Sequence, residues 1–378
     1  MKKYSLLIAA VVMAGGMAVT APKTSLAQSM NQDHVATVNQ QDNALPQDMG
    51  SNFHILDNHN YENKAYKYYY APDNGVKHHL ATIGGNRKVK FSSYLFLPNN
   101  IKDRKYDWGD VQSITSTPNG RYMYVLCNRN QSHHDNDYDG WIVRYDMGKL
   151  RQMGIAGRNV AKLRRISYLY FNHKINHFNK QQRKVISAVK VGPHFTTGHG
   201  QSLSYNPKNH QLWLIRIGKI AQTRAAMVEI GTSSLKPIKQ IDFQFNNNYP
   251  ISDFMTFDKN GNAYTFTRSM NSFIKIYQGR ITNDGVHFHL IQQGLKHWPG
   301  QNLQGMAYNQ RTNRIYIVAD GGIMSMPVNK LGHLKNADVY DSKISGHREF
   351  EGLTFDKQGH GYLLVHLIPE IMKSDRIL

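Results

Sequence analysis

The chain has 378 residues, with 46 Lys plus Arg against 26 Asp plus Glu and a formal charge of +20. A single cysteine, Cys127, excludes an intramolecular disulfide, so stability has to come from a large buried core. The charge excess points to an anionic partner or surface.

Lys2 and Lys3 precede an apolar, small-residue stretch from Leu6 to Ala21, and Ser25-Leu26-Ala27 supplies a small-x-small cleavage site. Residues 1–27 therefore read as a secretory signal peptide. No other stretch approaches the roughly 18 apolar residues a spanning helix needs, so an extracellular protein with no integral membrane segment after signal removal is expected. Residues 28–50, rich in Gln, Asn and Asp, read as a flexible lead-in. From 51 to 378 a single all-β domain is expected, with a strand from roughly 52 to 96 helping to close it beside the C-terminal repeat.

Five segments share one template of a polar residue, an apolar alternation, a turn, and an aromatic that reopens an apolar run. They run from Gln112 to Tyr124, Gln201 to Trp213, Asp253 to Tyr264, Gln304 to Tyr316, and Glu351 to Tyr362, with spacings of 12, 12, 11, 12 and 11. The turns, such as Pro118-Asn119-Gly120, Asp258-Lys259-Asn260-Gly261 and Asp356-Lys357-Gln358-Gly359, carry residues that accept a chain reversal. Each template thus predicts a β-hairpin. Further strands are predicted at Trp141 to Tyr145, Met227 to Ile230, Phe273 to Tyr277 and Ile323 to Met326. The opening residues recur at 47 to 52 residues except for a first interval of 89, which predicts a β-propeller of five blades with three to four antiparallel strands each. A sixth, degenerate blade over residues 147–190 is the rival arrangement.

Innermost propeller strands begin near the central channel, so the opening residues should converge there. Gln112, Gln201, Asp253, Gln304 and Glu351 would form a ring, with His199 and Glu349 two residues upstream on the same strand face. Asp253, Glu349 and Glu351 are candidate ligands for a hard cation such as calcium in the channel, and a metal-bound water there would suit a propeller hydrolase, lactonase-like or phosphoesterase-like. The ring would equally serve a wet channel satisfied by hydrogen bonds and trapped water, with no cofactor required. The cluster His133, His134, Asp135, Asp137 and Asp139 lacks the spacing of a calcium loop and reads as a solvated connection. No nucleophile elbow and no zinc-type spacing occurs, and no catalytic residue is assigned.

Between Asp146 and Glu229 there is no acidic residue, while the interval holds fifteen Lys and Arg. A basic insertion at about 147–190 contributes Lys149, Arg151, Arg158, Lys162, Arg164, Arg165, Lys174, Lys180, Arg183 and Lys184, interleaved with aromatics. These residues are candidates for binding anionic polymers. An extracellular setting favours wall polymers such as teichoic acids, anionic lipid surfaces or acidic polysaccharides over nucleic acid. The same composition also suits a solubilising face. Trp108, Trp141, Trp213 and Trp298 are candidates for a carbohydrate-binding alternative, with Trp213 at the repeat's core aromatic position.

The openings His199-Gly200-Gln201-Ser202-Leu203, Leu303-Gln304-Gly305-Met306 and Glu349-Phe350-Glu351-Gly352-Leu353 resemble those of helveticin J-type (class III) bacteriocins, large antibacterial proteins of lactic acid bacteria. The resemblance spans about residues 105–375. It implies a secreted protein that acts on, or associates with, bacterial envelopes. The basic insertion and the conventional signal peptide depart from that pattern and leave room for a surface-associated relative without killing activity.

Overall fold

Each of the five templates forms an antiparallel hairpin, because alternating apolar residues end in a turn that tolerates a reversed backbone. Gly120, His210, Gly261, Asn313 and Gly359 all take positive φ at these turns. The turn carboxylates cap the reversal: Asp258 Oδ1 accepts from the Asn260 and Asn262 amides, and Asp356 Oδ1 from those of Gln358 and His360. Tyr264 and Tyr362, at the aromatic position, donate their hydroxyls to the other oxygen of the same aspartates at 3.1 Å. The aromatic therefore ties the second strand to its own turn as well as filling the core.

The computed structural model describes residues 36–378 except 46–49, 61–65, 99–108, 130–138, 172–176, 218–223, 246–251, 269–272 and 284. The expected signal peptide lies outside the described residues. The chain begins with four strands, β1 (Ala36–Leu45), β2 (His54–Leu56), β3 (His79–Gly84) and β4 (Lys90–Phe96). The first blade holds β5 (Asp110–Ser116), β6 (Tyr122–Asn128) and β7 (Asp139–Asp146). Helices α1 (Met147–Gln152), α2 (Lys162–Phe171) and α3 (Lys180–Ile186) follow before β8 (Val189–Val191) and the short β9 (Phe195–Thr196) return to pair with β7.

The second blade is β10 (Ser204–Asn206), β11 (Gln211–Arg216), β12 (Arg224–Ile230) and β13 (Pro237–Phe245). The third is β14 (Met255–Phe257), β15 (Ala263–Arg268), β16 (Ile274–Ile281) and β17 (Val286–Leu295). The fourth is β18 (Leu303–Asn309), β19 (Arg314–Ala319), β20 (Gly322–Pro327) and β21 (Tyr340–Ile344). The fifth is β22 (Phe350–Phe355), β23 (His360–Val365) and β24 (Glu370–Ile377), completed by β4. The inner strands neighbour one another in the cycle β5, β10, β14, β18, β22 and back to β5, which closes a five-bladed propeller.

Facing blades bury both sides of their middle strands. β19 and β23 accordingly read as nearly continuous apolar runs, Ile315 to Ala319 and Tyr362 to Val365, with every one of these residues buried. Cys127 is buried in β6 as part of such a run. No helix among the described residues is long and apolar enough to cross a membrane, which says nothing about strands.

Two expectations need correction. Within the lead-in of 28–50, residues 36–45 form β1, paired in parallel with β13 from Ala36 opposite Lys239 to Leu45 opposite Phe245. Pairing of this kind uses backbone groups on an open sheet edge and needs no large apolar side chains, so composition concealed it. The segment expected to supply one closing strand instead supplies three. β2 pairs in parallel with β17, whereas β3 pairs antiparallel with β21 and only β4 pairs, also antiparallel, with β24. The N-terminal arm thus adds a strand in turn to the outer edges of blades two, three, four and five. Pairing between β3 and β4 also joins the fourth and fifth blades into one continuous sheet.

Helices α1, α2 and α3 are inserted between the third and fourth strands of the first blade, and the described residues of 147–190 form no sixth blade. Leu150, Ile155, Leu163, Ile166 and Val185 point inward and share one core with Val143 and Tyr145 of β7 and with Tyr94, Leu95 and Ile371 of the fifth blade. The insertion therefore fills the outer junction between blades one and five.

Candidate functional site

The bulged openings of three inner strands direct polar side chains into the channel mouth. Strand register slips between Val111 and Ser113, between Leu303 and Gly305, and between Phe350 and Gly352, so Gln112, Gln304 and Glu351 each occupy the extra position. A bulge turns one side chain out of the pleat and leaves its residue outside the ladder. Gly352 accommodates the distortion at φ 140°, with the Ile114 backbone nitrogen 3.5 Å from where a Cβ would lie.

Gln112, Gln201, Gln304, Glu349, Glu351 and His199 line one cavity of about 380 Å³. Gln201 donates through a short hydrogen bond to Gln304 Oε1. Asp253 reaches the cavity only indirectly, its carboxylate standing 3.4 Å from His199 Nδ1. Burial works against the His199 charge, but the Asp253 hydrogen bond and carboxylate outweigh it and raise the imidazole above its ordinary pKa.

Asp253 does not join the expected trio of metal ligands. The residues that do converge are Glu349, Glu351 and His366, whose ligand atoms all lie within 4.8 Å of one another. His366 Nδ1 is 2.8 Å from Glu349 Oε2 and 3.8 Å from Glu351 Oε1, while Nε2 is 3.1 Å from Asp110 Oδ1. Burial alone would lower the His366 pKa, yet the Asp110 and Glu349 hydrogen bonds and the Glu351 charge raise it to about 10. Glu351, 2 % exposed, is pushed well above the carboxylate range by burial, with Glu349, Asp320 and Asp110 adding repulsion. Among the described residues its Oε2 has no hydrogen-bond partner, and neither has Gln112 Oε1.

A second polar node adjoins this one. Asp320 Oδ1 accepts the Phe350 amide at 2.8 Å, while Oδ2 accepts Tyr68 Oη at 2.6 Å and the Asn302 and Gln304 side-chain amides at 3.1 Å. Burial raises the Asp320 carboxyl, and its four donors restrain that rise. Burial and the Asp320 charge also push the Tyr68 phenol upward. Tyr68 comes from the N-terminal arm, so the arm contributes to the mouth as well as to the rim.

Asp110, Asn302, Asp320 and His366 were not picked out from sequence, although two repeat positions mark them. Asp110 and Asn302 precede their opening residues by two, as do His199 and Glu349. Asp320 and His366 each follow the template's aromatic by four, at the channel end of the second strand. Hairpin geometry places that end beside the opening of the first strand.

Of the proposed polymer-binding cations, Lys149, Arg151, Arg158, Arg165, Lys180, Arg183 and Lys184 are exposed and Lys162 is half-buried. Lys174 lies outside the described residues. Arg151 spends both terminal nitrogens on the Gly120 carbonyl at 3.1 Å. Arg164 must be removed from the set: it is 6 % exposed, donates to the Leu97 and Pro369 carbonyls, and pairs with Asp73 at 2.7 Å. Its place on the inner face of α2, over the Phe96 ring, makes it a clamp between the insertion and the fifth blade.

Trp141 and Trp213 are 3 % and 2 % exposed, and Trp298 packs against a buried cluster, so none of the three presents a free sugar-stacking face. Trp108 lies outside the described residues. His133, His134, Asp135 and Asp137 do too, while Asp139 opens β7 and holds His194 at 2.9 Å.

No family model and no curated protein matches this chain. Among solved structures, a glucose dehydrogenase is 9% identical at a TM-score of 0.35, covering 76% of this chain and 86% of that one. A protein of unknown function from Bacteroides thetaiotaomicron is 9% identical at 0.39, covering 84% and 74%. A structure from a study of two prolyl endopeptidases is 9% identical at 0.33, covering 79% of this chain and 39% of the other. At these scores the likenesses carry no functional inference.

Proposed function

We propose that this protein is an extracellular, helveticin J-like cationic propeller that associates with bacterial envelopes by binding anionic wall polymers through its helical insertion. One observation carries the reading. Lys149, Arg158, Arg165, Lys180, Arg183 and Lys184 are exposed on a segment that has no carboxylate from Met147 to Val228, and no ion pair among the described residues neutralises them. Surface cations left without local partners are available to a polyanion, whose counterions are released on binding. The apolar faces of the helices are anchored in the core, so the charges sit on a fixed platform.

Cosedimentation with purified walls, with and without teichoic acid, tests the proposal. Binding should require the acid and fall steeply with salt. The triple variant Lys180→Gln/Arg183→Gln/Lys184→Gln should weaken it on the order of tenfold or more, given roughly 1 kcal/mol per cation near an anionic surface. Wild-type binding by the triple variant, or retention that ignores salt, would sink the proposal.

A further inference from the structure

We propose that the channel mouth is a divalent transition-metal site, with Glu349, Glu351 and His366 Nδ1 as ligands and Asp110 holding the histidine from behind. This goes beyond envelope binding, uses different residues and stands or falls separately. The three ligand atoms lie within 4.8 Å of one another, a span that one ion with bonds of about 2.0 to 2.4 Å can bridge. Asp110 Oδ1 lies 3.1 Å from the far ring nitrogen of His366, so when a cation displaces the Nδ1 proton the remaining proton stays on Nε2 toward Asp110 and Nδ1 faces the two glutamates. A carboxylate behind a histidine in this way is the usual support for a metal-bound imidazole.

An independent observation singles out the position. Glu351 is 2 % exposed, lines the cavity, and has an Oε2 with no hydrogen-bond partner among the described residues. A buried carboxylate oxygen without a donor is costly, and a cation supplies what the surrounding protein does not. Gln112 Oε1, also without a partner among the described residues, belongs to the lining of the same cavity as a further neutral oxygen. The donor set decides the class of metal. Calcium takes oxygen ligands almost exclusively, whereas two carboxylates with one imidazole suit zinc or manganese, and the earlier expectation of calcium changes accordingly. The mouth is open to solvent beside the amides of Gln201 and Gln304, leaving positions for water or a ligand oxygen.

The test uses the full mature protein, dialysed against EDTA and then against zinc, manganese or calcium chloride, with metal content measured after gel filtration. Close to one equivalent of zinc or manganese should be retained, with a raised unfolding temperature and little retention of calcium. Cobalt substitution should give visible absorption bands of a bound ion. Glu351→Gln, nearly isosteric, should lower metal affinity at least tenfold while its unfolding temperature in EDTA stays at or above wild type. Asp110→Asn should lower affinity about 10- to 100-fold through the ligand it positions. Absence of retained metal with no thermal shift overturns the proposal. So does equal binding by wild type and Glu351→Gln, which would place the ion elsewhere, and so does a preference for calcium.

Discussion

Glu370→Gln is expected to lower the unfolding free energy by about 3 to 5 kcal/mol, the usual cost of removing one partner from a buried ion pair. Glu370 is wholly buried and accepts from Arg348 at 3.0 Å, His78 at 2.7 Å and Ser93 at 2.5 Å. Arg348 is itself 2 % exposed and also donates to the carbonyls of His366, Leu367 and Ile368. The node joins β24, β4, the approach to β3 and the approach to β22, where the N-terminal arm meets the last blade. With an unfolding entropy of about 2.1 cal/mol/K per residue, the loss corresponds to a midpoint lowered by roughly 4 to 7 °C. Adding Arg348→Met should cost less than the sum of the single changes, because an unpaired buried cation is then removed. Calorimetry and urea titration read both.

The same carboxylate sets an acid limit. Burial would raise the Glu370 pKa, but the hydrogen bonds from His78 and Ser93 and the Arg348 charge leave it below its ordinary value of 4.5. A depressed folded-state pKa gives stability that is complete above the unfolded value and is lost as pH falls below it. Wild type should therefore lose stability below about pH 4.5 more steeply than Glu370→Gln. Parallel acid profiles would rule out this role.

Asp320→Ala is expected to cost about 2 to 5 kcal/mol, because it leaves the buried Phe350 amide and Gln304 side chain without their acceptor. Tyr68 and Asn302 lose the same partner but can recruit water. Asp320→Asn keeps one oxygen acceptor and should cost less than half as much. Urea midpoints measure the energy, and limited proteolysis near Tyr68 should show the arm released from the mouth in the alanine variant. An intact arm at wild-type protease resistance would contradict this account.

How much of this was legible in sequence varies with the range of the interactions. The five hairpins were readable because alternation, turn chemistry and the aromatic position all act within about a dozen residues. Convergence of Gln112, Gln201, Gln304 and Glu351 followed from one repeat position. His366 and Asp320 sit at another that varies in type, Asn128, Ile217 and Arg268 being its other occupants, so no single residue type flagged it. Arg164 was misread because its neighbours Lys162 and Arg165 face outward, and only the helical phase of Leu163 and Ile166 places it on the inner side. β1 and β2 were invisible because they join by backbone pairing to strands roughly two hundred residues or more away, and residue identity hardly encodes that.

The arm's route also bears on how the molecule reaches its native state. Ala36 waits for Lys239, His54 for Gln293, and Phe91 for Ser374, so each early strand depends on a partner made much later. Contacts this distant along the chain slow folding. Individual blades can collapse as they emerge, whereas the ring locks only once β24 exists. Kinetics should accordingly divide into rapid local hairpin formation and a slow final closure, and a chain halted before residue 370 would leave β4 without β24, the partner that closes the fifth blade.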